Sequence, residues 1–314
     1  MDHVQALSLL GGQLITGRGV KPDFAAGLNL ICRAADLGGA YAIAVVAAGL
    51  CYGLDGRSPD WKTGLDQLQR SAELGYEPAQ AQLRIMAELK GPQPPAASWA
   101  RLRRAIDIDA WRSPPPAEIL SADPAVSVVR GLLPRPACDW LISRVRDKLQ
   151  RALVHNPDTH AQTQNEIRTN SNAVFRLTDT NLVVMLLQER LAVASGTQVK
   201  SMEGPQVLHY APGEQYRRHF DFMEPHLPGN AAMIAQYGQR TQTLLVYLNE
   251  GYEGGETDFP TLGLRFKGAA GDALMFRNVG AGGQPDRRMG HAGLPPATGE
   301  KWLFSQWIRD RPQR

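Results

Sequence analysis

The sequence predicts an α+β chain in two parts, with helices first and strands later. Three observations carry that expectation. Residues up to about 90 are rich in Ala, Leu and Gly at helical spacing. Two proline-rich interruptions follow, GPQPP at Gly91–Pro95 and SPPP at Ser113–Pro116. Beyond about residue 200 the chain changes to alternating and β-branched segments separated by Gly and Pro turns. At 314 residues, two domains is the ordinary expectation.

Composition excludes several classes. With 43% apolar and 21% charged residues, a large core is possible and global disorder is not. Lys plus Arg number 34 against 31 Asp plus Glu, a net +3, too balanced for nucleic-acid binding by bulk electrostatics. The richest apolar stretch, Tyr41 to Tyr52, is far short of the roughly 20 residues of a membrane helix. The first residues carry no basic stretch ahead of their apolar ones, so no secretory signal is read there. Cys32, Cys51 and Cys138 make an odd count without a CxxC or Cys/His spacing. A disulfide scaffold or a cysteine-based zinc site is not expected, and a reducing, cytoplasmic setting is.

The N-terminal part repeats itself. Arg33-Ala34-Ala35-Asp36-Leu37-Gly38 returns 37 residues later as Arg70-Ser71-Ala72-Glu73-Leu74-Gly75. The pieces ahead also match, Gly17 to Asp23 with Gly53 to Asp60. Such a period marks helix pairs stacked into a solenoid, with small residues allowing close packing and Gly closing helices. The pattern resembles Sel1-like repeats, relatives of the tetratricopeptide repeats, over about residues 5–90. Between the prolines, Ser98–Trp111 can form a short amphipathic helix inside an otherwise connecting stretch. The domains expected are 1–95 (helical repeats), 96–118 (linker) and 119–314.

Two helices are expected before the strands. Over Ala137–Leu153, Leu141, Val145, Leu149 and Leu153 recur at i, i+4. Asp179–Gly196 is more apolar and closes on Gly196. Their role is to cover one side of a sheet.

The chemistry lies between residues 200 and 310. His219 and Asp221 are two apart, so in an extended chain imidazole and carboxylate share a face and can reach one ion. Alone this is a weak signal. Thr241–Asn249 is a strong strand, Leu264–Phe266 and Asp272–Phe276 are further strands, and Lys301–Arg309 is the last. Between His291 and Lys301 the turn Pro-Pro-Ala-Thr-Gly is expected to make a hairpin loop that both residues flank. In the last strand Lys301, Leu303, Ser305 and Trp307 share one face, and Trp302, Phe304, Gln306 and Ile308 the other. Two histidines and a carboxylate on a β-structure form a facial triad suited to non-haem Fe(II), with open positions for a cosubstrate and dioxygen. A lysine beside it offers a fixed cation to an acid, which describes an oxygenase using 2-oxoglutarate.

Those residues resemble the prolyl 4-hydroxylase branch of the 2-oxoglutarate/Fe(II) dioxygenases from about Ser121 to Trp307. The resemblance is carried by His219-Phe220-Asp221, the Glu-Gly-Gly-Glu-Thr run at 253–257, Gly271-Asp272-Ala273-Leu274, and His291-Ala292-Gly293 with Lys301 ten residues on. Arg168-Thr169-Asn170 is similar to an Arg-Thr-Ser ahead of the family's core, and Glu203 and Gln206 stand at family positions. The fold this implies is a double-stranded β-helix, or jelly-roll, with flanking helices.

The resemblance also implies roles. His219, Asp221 and His291 would bind Fe(II) as the catalytic centre. Lys301 would pair with the distal carboxylate of 2-oxoglutarate, with Thr243 helping to hold that carboxylate. Tyr210 would hydrogen-bond the cosubstrate, and Trp307 would lie near iron and substrate. Tyr216 is open between the site and the core. His226 reads as a loop residue, His209 as facing away, and His3, His155 and His160 have no constellation. Arg217-Arg218 and Arg287-Arg288 read as solvated surface. The implied activity is hydroxylation of an aliphatic C–H, foremost a prolyl residue of a protein or peptide, with release of succinate and CO2. Ascorbate is a further implication, as a reductant of the iron. The helical repeats would recruit the protein substrate. The alternative is a small-molecule oxygenase whose repeats are purely structural. A non-enzymatic scaffold is disfavoured by the complete triad.

Overall fold

The computed structural model describes residues 3–91, 94–155, 162–179 and 181–313; His160 lies outside the described residues. The chain divides into two compact units. The first comprises Met1–Arg112 with Phe175–Leu187, the second Ser113–Val174 with Gln188–Arg314. No helix among the described residues is long and apolar enough to cross a membrane.

The first unit holds α1 (His3–Thr16), α2 (Phe24–Asp36), α3 (Ala40–Tyr52), α4 (Trp61–Glu73), α5 (Glu77–Ala87), α6 (Trp99–Ala105) and α7 (Ile108–Trp111). The repeat is visible in the helix starts. α3 and α5 begin at residues 40 and 77, and α2 and α4 at 24 and 61, 37 residues apart in each case. The caps repeat too. Asp23 accepts from the Ala26 N–H at 2.9 Å, and Asp60 from the Thr63 N–H at 3.0 Å, satisfying orphan donors at each helix start. The five helices α1 to α5 span the stretch of about residues 5–90 expected for the repeats. The first unit also takes in part of the stretch expected as a linker. Residues 96–112 count with the first unit, where α6 and α7 follow each other because Asp107 caps a fresh helix through the Ala110 N–H at 2.8 Å.

Close approach explains the small residues. A Cβ on Gly64 of α4 would lie 2.3 Å from Cys51 Sγ and 3.0 Å from the Ala47 carbonyl of α3. Its repeat partner Gly27 would meet the Gly11 carbonyl of α1 at 2.7 Å. Ile31, Ala34, Ala42 and Ile43 are fully buried in the core that results.

The second unit opens with β1 (Ala117–Ser121), β2 (Val126–Val129), α8 (Arg135–Val145), β3 (Gln150–Arg151), β4 (Val154–His155), β5 (Gln162–Thr163) and β6 (Ser171–Val174). The helix α9 (Leu182–Ser195) starts in residues grouped with the first unit and ends in the second. Next come β7 (Gln206–Tyr210), β8 (Tyr216–His219), α10 (Pro228–Tyr237), β9 (Arg240–Tyr247), β10 (Glu253–Gly254), β11 (Thr257–Phe259) and β12 (Leu264–Phe266). The last strands are β13 (Ala273–Arg277), β14 (His291–Gly293), β15 (Pro296–Thr298) and β16 (Lys301–Arg309).

An eight-stranded antiparallel sheet, β1-β2-β13-β9-β16-β7-β6-β3, faces a four-stranded sheet, β12-β11-β14-β8. This is the jelly-roll expected. Inward residues of both sheets (Val128, Tyr210, Tyr247, Phe259, Phe266, Leu274, Phe276, Leu303) form one core. On the outer face of the large sheet, Gln306 of β16 accepts a 2.9 Å hydrogen bond from Gln188 of α9, so that part of the helix covers the sheet.

Two expectations need correction. The helix expected over 137–153 stops at Val145, because Gln150 and Arg151 join the large sheet opposite Asn172 and Ser171; Leu149 and Leu153 kept helical spacing without belonging to the helix. The Pro-Pro-Ala-Thr-Gly turn is not a hairpin between His291 and Lys301. Residues 296–298 pair with β10, and the two residues stand on facing sheets.

Gly64→Ala should lower the midpoint of denaturant unfolding, by on the order of 1–3 kcal/mol of overpacking. Gly12→Ala, on the same kind of helix but with its nearest atom 3.8 Å away, should be neutral or slightly stabilising, since Ala is favoured over Gly in helices by about 0.5–1 kcal/mol. Equal effects of the two substitutions would contradict the close-contact account.

Candidate active site

One cavity lies between the sheets. Tyr216, His219, Thr257, His291 and Gly293 line it from the small sheet, with Asp221 just past β8. Leu208, Tyr210, Leu245, Lys301, Leu303, Ser305 and Trp307 line it from the large sheet, and Arg168 stands beside them. The inward face expected for β16 is the face that lines the cavity.

Register builds the metal-binding end. His219 of β8 pairs directly with His291 of β14, and Tyr216 pairs with Gly293. Three steps along β8 thus match two along β14, a β-bulge that turns both Tyr216 and His219 inward. Their rings stack with centroids 3.4 Å apart. Each histidine is oriented by its own backbone: His219 Nδ1 meets the Arg217 carbonyl at 2.9 Å, and His291 Nδ1 the Met289 carbonyl at 3.1 Å. With Nδ1 donating, each Nε2 keeps its lone pair for a metal.

Asp221 completes the set. Its Oδ1 is 3.6 Å from His219 Nε2 and its Oδ2 3.5 Å from His291 Nε2. Among the described residues these three form the one group of three His, Cys, Asp or Glu side chains with ligand atoms mutually within 4.8 Å. Donors bound at ~2.1 Å to one ion lie about 3 Å apart at right angles and about 4 Å apart when opposed, so the donor set fits a single ion. Burial lowers the His291 imidazole to about 4, with His219 adding to the shift, so His291 is a neutral ligand at pH 7. For Asp221 burial alone would raise the carboxyl. His291, His219 and the Thr243 hydroxyl outweigh it and hold the group below the usual carboxylate range, ionised.

Lys301 lies fully buried on the opposite sheet. Its Nζ has no hydrogen-bond partner among the described residues. Burial brings its ammonium down to about 7, with Glu256 partly opposing. The Nζ sits 5.0 Å from the Tyr210 ring centroid and 5.8 Å from that of Tyr247, a cation against aromatic faces. A buried, unpartnered ammonium on a cavity wall is costly unless an anion completes it. This is the observation that fits an acidic cosubstrate.

The other expected residues separate. Tyr210 is buried on the cavity wall and reaches across to Gly293, where a Cβ would stand 3.1 Å from its hydroxyl. Burial raises its phenol, which stays protonated and able to donate. Trp307 lines the cavity with an Nε1 that has no hydrogen-bond partner among the described residues, and the Arg240 guanidinium lies 3.7 Å from its ring centroid. Behind it Glu203 accepts hydrogen bonds from Arg240 and forms an ion pair with Arg309. Gln206 accepts from Asn172 at 2.8 Å. Tyr216, left open by the sequence, belongs to the site.

Thr243 is the correction. It pairs with Trp307, six residues along β16 from Lys301. At about 3.3 Å per residue that is roughly 20 Å away, out of reach of any carboxylate on Lys301. Its hydroxyl instead donates to Asp221 Oδ2 at 2.7 Å. The residue the sequence reading missed is Thr257, which lines the cavity and hydrogen-bonds Tyr247 Oη at 2.8 Å. It stood inside the Glu-Gly-Gly-Glu-Thr run, but a strand of three residues is too short to show by alternation which face it turns inward. Arg168 has no role legible in the sequence; its guanidinium covers the Tyr216 ring at 4.7 Å. Arg287 and Arg288 are exposed and held by Glu224, Asp123 and Asp286.

A facial two-histidine, one-carboxylate set inside a jelly-roll, facing a buried lysine, defines a mononuclear non-haem iron oxygenase that takes an acidic cosubstrate. The sequence pattern of the 2OG-Fe(II) oxygenase superfamily matches residues 205–309. Prolyl 4-hydroxylase 1 of Arabidopsis thaliana is 29% identical over 208 residues, which cover 62% of this chain and 72% of the relative. Probable prolyl 4-hydroxylase 10 of the same plant is 30% identical over 212 residues, covering 61% and 71%. A solved structure of the viral collagen prolyl hydroxylase from Paramecium Bursaria Chlorella virus-1, as a 2OG complex, is 28% identical, with 59% of this chain and 95% of that one covered and a TM-score of 0.45. The chain belongs to the prolyl 4-hydroxylase family of the 2OG-Fe(II) oxygenases. It is an enzyme of that class, with Fe(II) as metal and 2-oxoglutarate as cosubstrate.

Asp221→Ala should weaken divalent-metal binding by at least about 100-fold, beyond the 10–100-fold typical of outer-shell changes. Circular dichroism should report an intact fold. Retained metal affinity in this variant would remove Asp221 from the ligand set.

Proposed function

We propose that this enzyme hydroxylates prolyl residues of a peptide or protein, coupled to decarboxylation of 2-oxoglutarate to succinate and CO2. The carrying observation is the cavity with the His219/Asp221/His291 set on one sheet and the orphan Lys301 ammonium on the other. The names of the relatives supply the substrate class. Bound iron would supply dioxygen activation at this site, with ascorbate as its reductant. Everything else is work of the chain. His219, His291 and Asp221 would hold the metal. Lys301 takes the distal carboxylate, with the Tyr210 hydroxyl beside it to donate a hydrogen bond. Leu208, Leu245 and Leu303 exclude water from the space between. Trp307, with one face on Arg240, offers an aromatic surface to the substrate at the metal end. A reducing, cytoplasmic setting belongs to the same reading, on the odd count of cysteines.

The direct test is mass spectrometry of proline-containing peptides after incubation with Fe(II), 2-oxoglutarate and ascorbate. Gain of one oxygen on proline with stoichiometric succinate supports the proposal. Peptide-independent turnover that a small metabolite stimulates would favour the small-molecule alternative.

The cosubstrate assignment has its own signature. A carboxylate partner raises the pKa of Lys301 above about 7, so binding takes up a proton wherever the free enzyme's lysine is neutral. At pH 8–9, calorimetry in buffers of different ionisation enthalpy should show uptake approaching one proton per 2-oxoglutarate, and almost none near pH 6. Affinity should fall as pH rises above 7. Lys301→Ala should raise the 2-oxoglutarate requirement more than tenfold, since removing one partner of a buried charge pair costs about 2–5 kcal/mol. Metal binding should be kept.

The helical unit would recruit the protein substrate. Leu37 and Leu74 occupy the same place in successive repeats and are 55% and 52% exposed, an apolar feature at regular spacing, as helical repeats use for binding. The double change Leu37→Asp/Leu74→Asp should reduce turnover of a full-length protein substrate severalfold and leave a short peptide unaffected. Equal effects on both, or none on either, would leave the repeats a purely structural role.

A further inference from the structure

We infer that Thr243 and Asn278 are positioning residues for the metal, clamping Asp221 so that a single carboxylate oxygen is presented to the ion. This rests on the reading of His219, Asp221 and His291 as ligands. Donor counting fixes the direction of the relay. An amide Nδ2 can only donate, so Asn278 donates to Thr243 Oγ1, at 2.9 Å. The one hydroxyl proton of Thr243 is then committed to Asp221 Oδ2, at 2.7 Å. Backbone pairing holds both residues in place. Thr243 lies opposite Phe276 in the β9–β13 ladder, and the Asn278 N–H donates to the Thr241 carbonyl at 2.9 Å just past it. Asn278 and Thr243 are each 1% exposed, so water does not compete for these bonds.

The consequence is chemical. A carboxylate oxygen that accepts a short hydrogen bond is a poorer metal donor, and it resists rotation of the carboxylate plane. Oδ1 is left as the metal-binding oxygen. A freely turning carboxylate would offer both oxygens and take up a coordination position that cosubstrate and dioxygen need. Thr243 is off the cavity wall and acts through Asp221 rather than on the cosubstrate.

The test is Co(II) titration of the full-length apoprotein without 2-oxoglutarate, followed by the visible absorption of the bound ion. Thr243→Val should weaken Co(II) binding by roughly 10–100-fold and change the band intensity that reports coordination number. Thr243→Ser, which keeps the donor, should restore both. Asn278→Ala, which frees the hydroxyl to turn away, should lie between, and it is the variant to read if Thr243→Val folds poorly. Wild-type Co(II) affinity and spectrum in Thr243→Val and Asn278→Ala would overturn it. So would a raised 2-oxoglutarate requirement in a Thr243 variant whose metal affinity is unchanged. If the wild type and Asp221→Ala bind Co(II) equally, the ligand assignment itself falls, and the clamp with it.

Discussion

The pairing of β8 with β14 is the constraint on which the site depends. It sets His219 directly opposite His291, and the bulge in β8 turns His219 and Tyr216 to the same side. A one-residue slip in an antiparallel pair would turn the histidine out of the cavity. Backbone carbonyls at Arg217 and Met289 then fix both imidazoles. Asp221 follows two residues after His219 and can only sit where that strand delivers it.

The same sandwich holds two charges that it does not itself neutralise. Asp221 is buried with a hydroxyl donor and two imidazoles for company, and Lys301 is buried with no hydrogen-bond partner among the described residues. In an apolar interior each costs several kcal/mol relative to a paired group. Facing sheets supply the rigidity that keeps them apart and in place. A cation on the small-sheet side and a dicarboxylate reaching the large-sheet side resolve both costs together, so ligand binding and stability are linked in one site. The aromatic faces of Tyr210 and Tyr247 shelter the ammonium until then.

Much of this was legible in the sequence because it lies in local spacing. The His-x-Asp step and the inward face of β16 follow from the two-residue period of a strand, while the distant His-Ala-Gly rested on the family resemblance. The 37-residue offset was likewise readable, and the caps at Asp23 and Asp60 show its cause. What was not legible depends on pairing between distant segments. Thr243 looked like a cosubstrate residue until the register set it against Trp307, far from Lys301. Thr257 was hidden in a three-residue strand. Leu149 and Leu153 continued a helical pattern that the pairing of Gln150 with Asn172 ends. The chemistry was local and its arrangement across the two sheets was not.

The most direct test of the central claim is a crystal structure of the protein with Fe(II) and 2-oxoglutarate, with anomalous scattering recorded at the iron edge. One iron should lie on Nε2 of His219 and of His291 and on one oxygen of Asp221, with the distal carboxylate of 2-oxoglutarate against Lys301 Nζ. Iron held by any other side chains, or 2-oxoglutarate bound with Lys301 still unpartnered, would contradict the account.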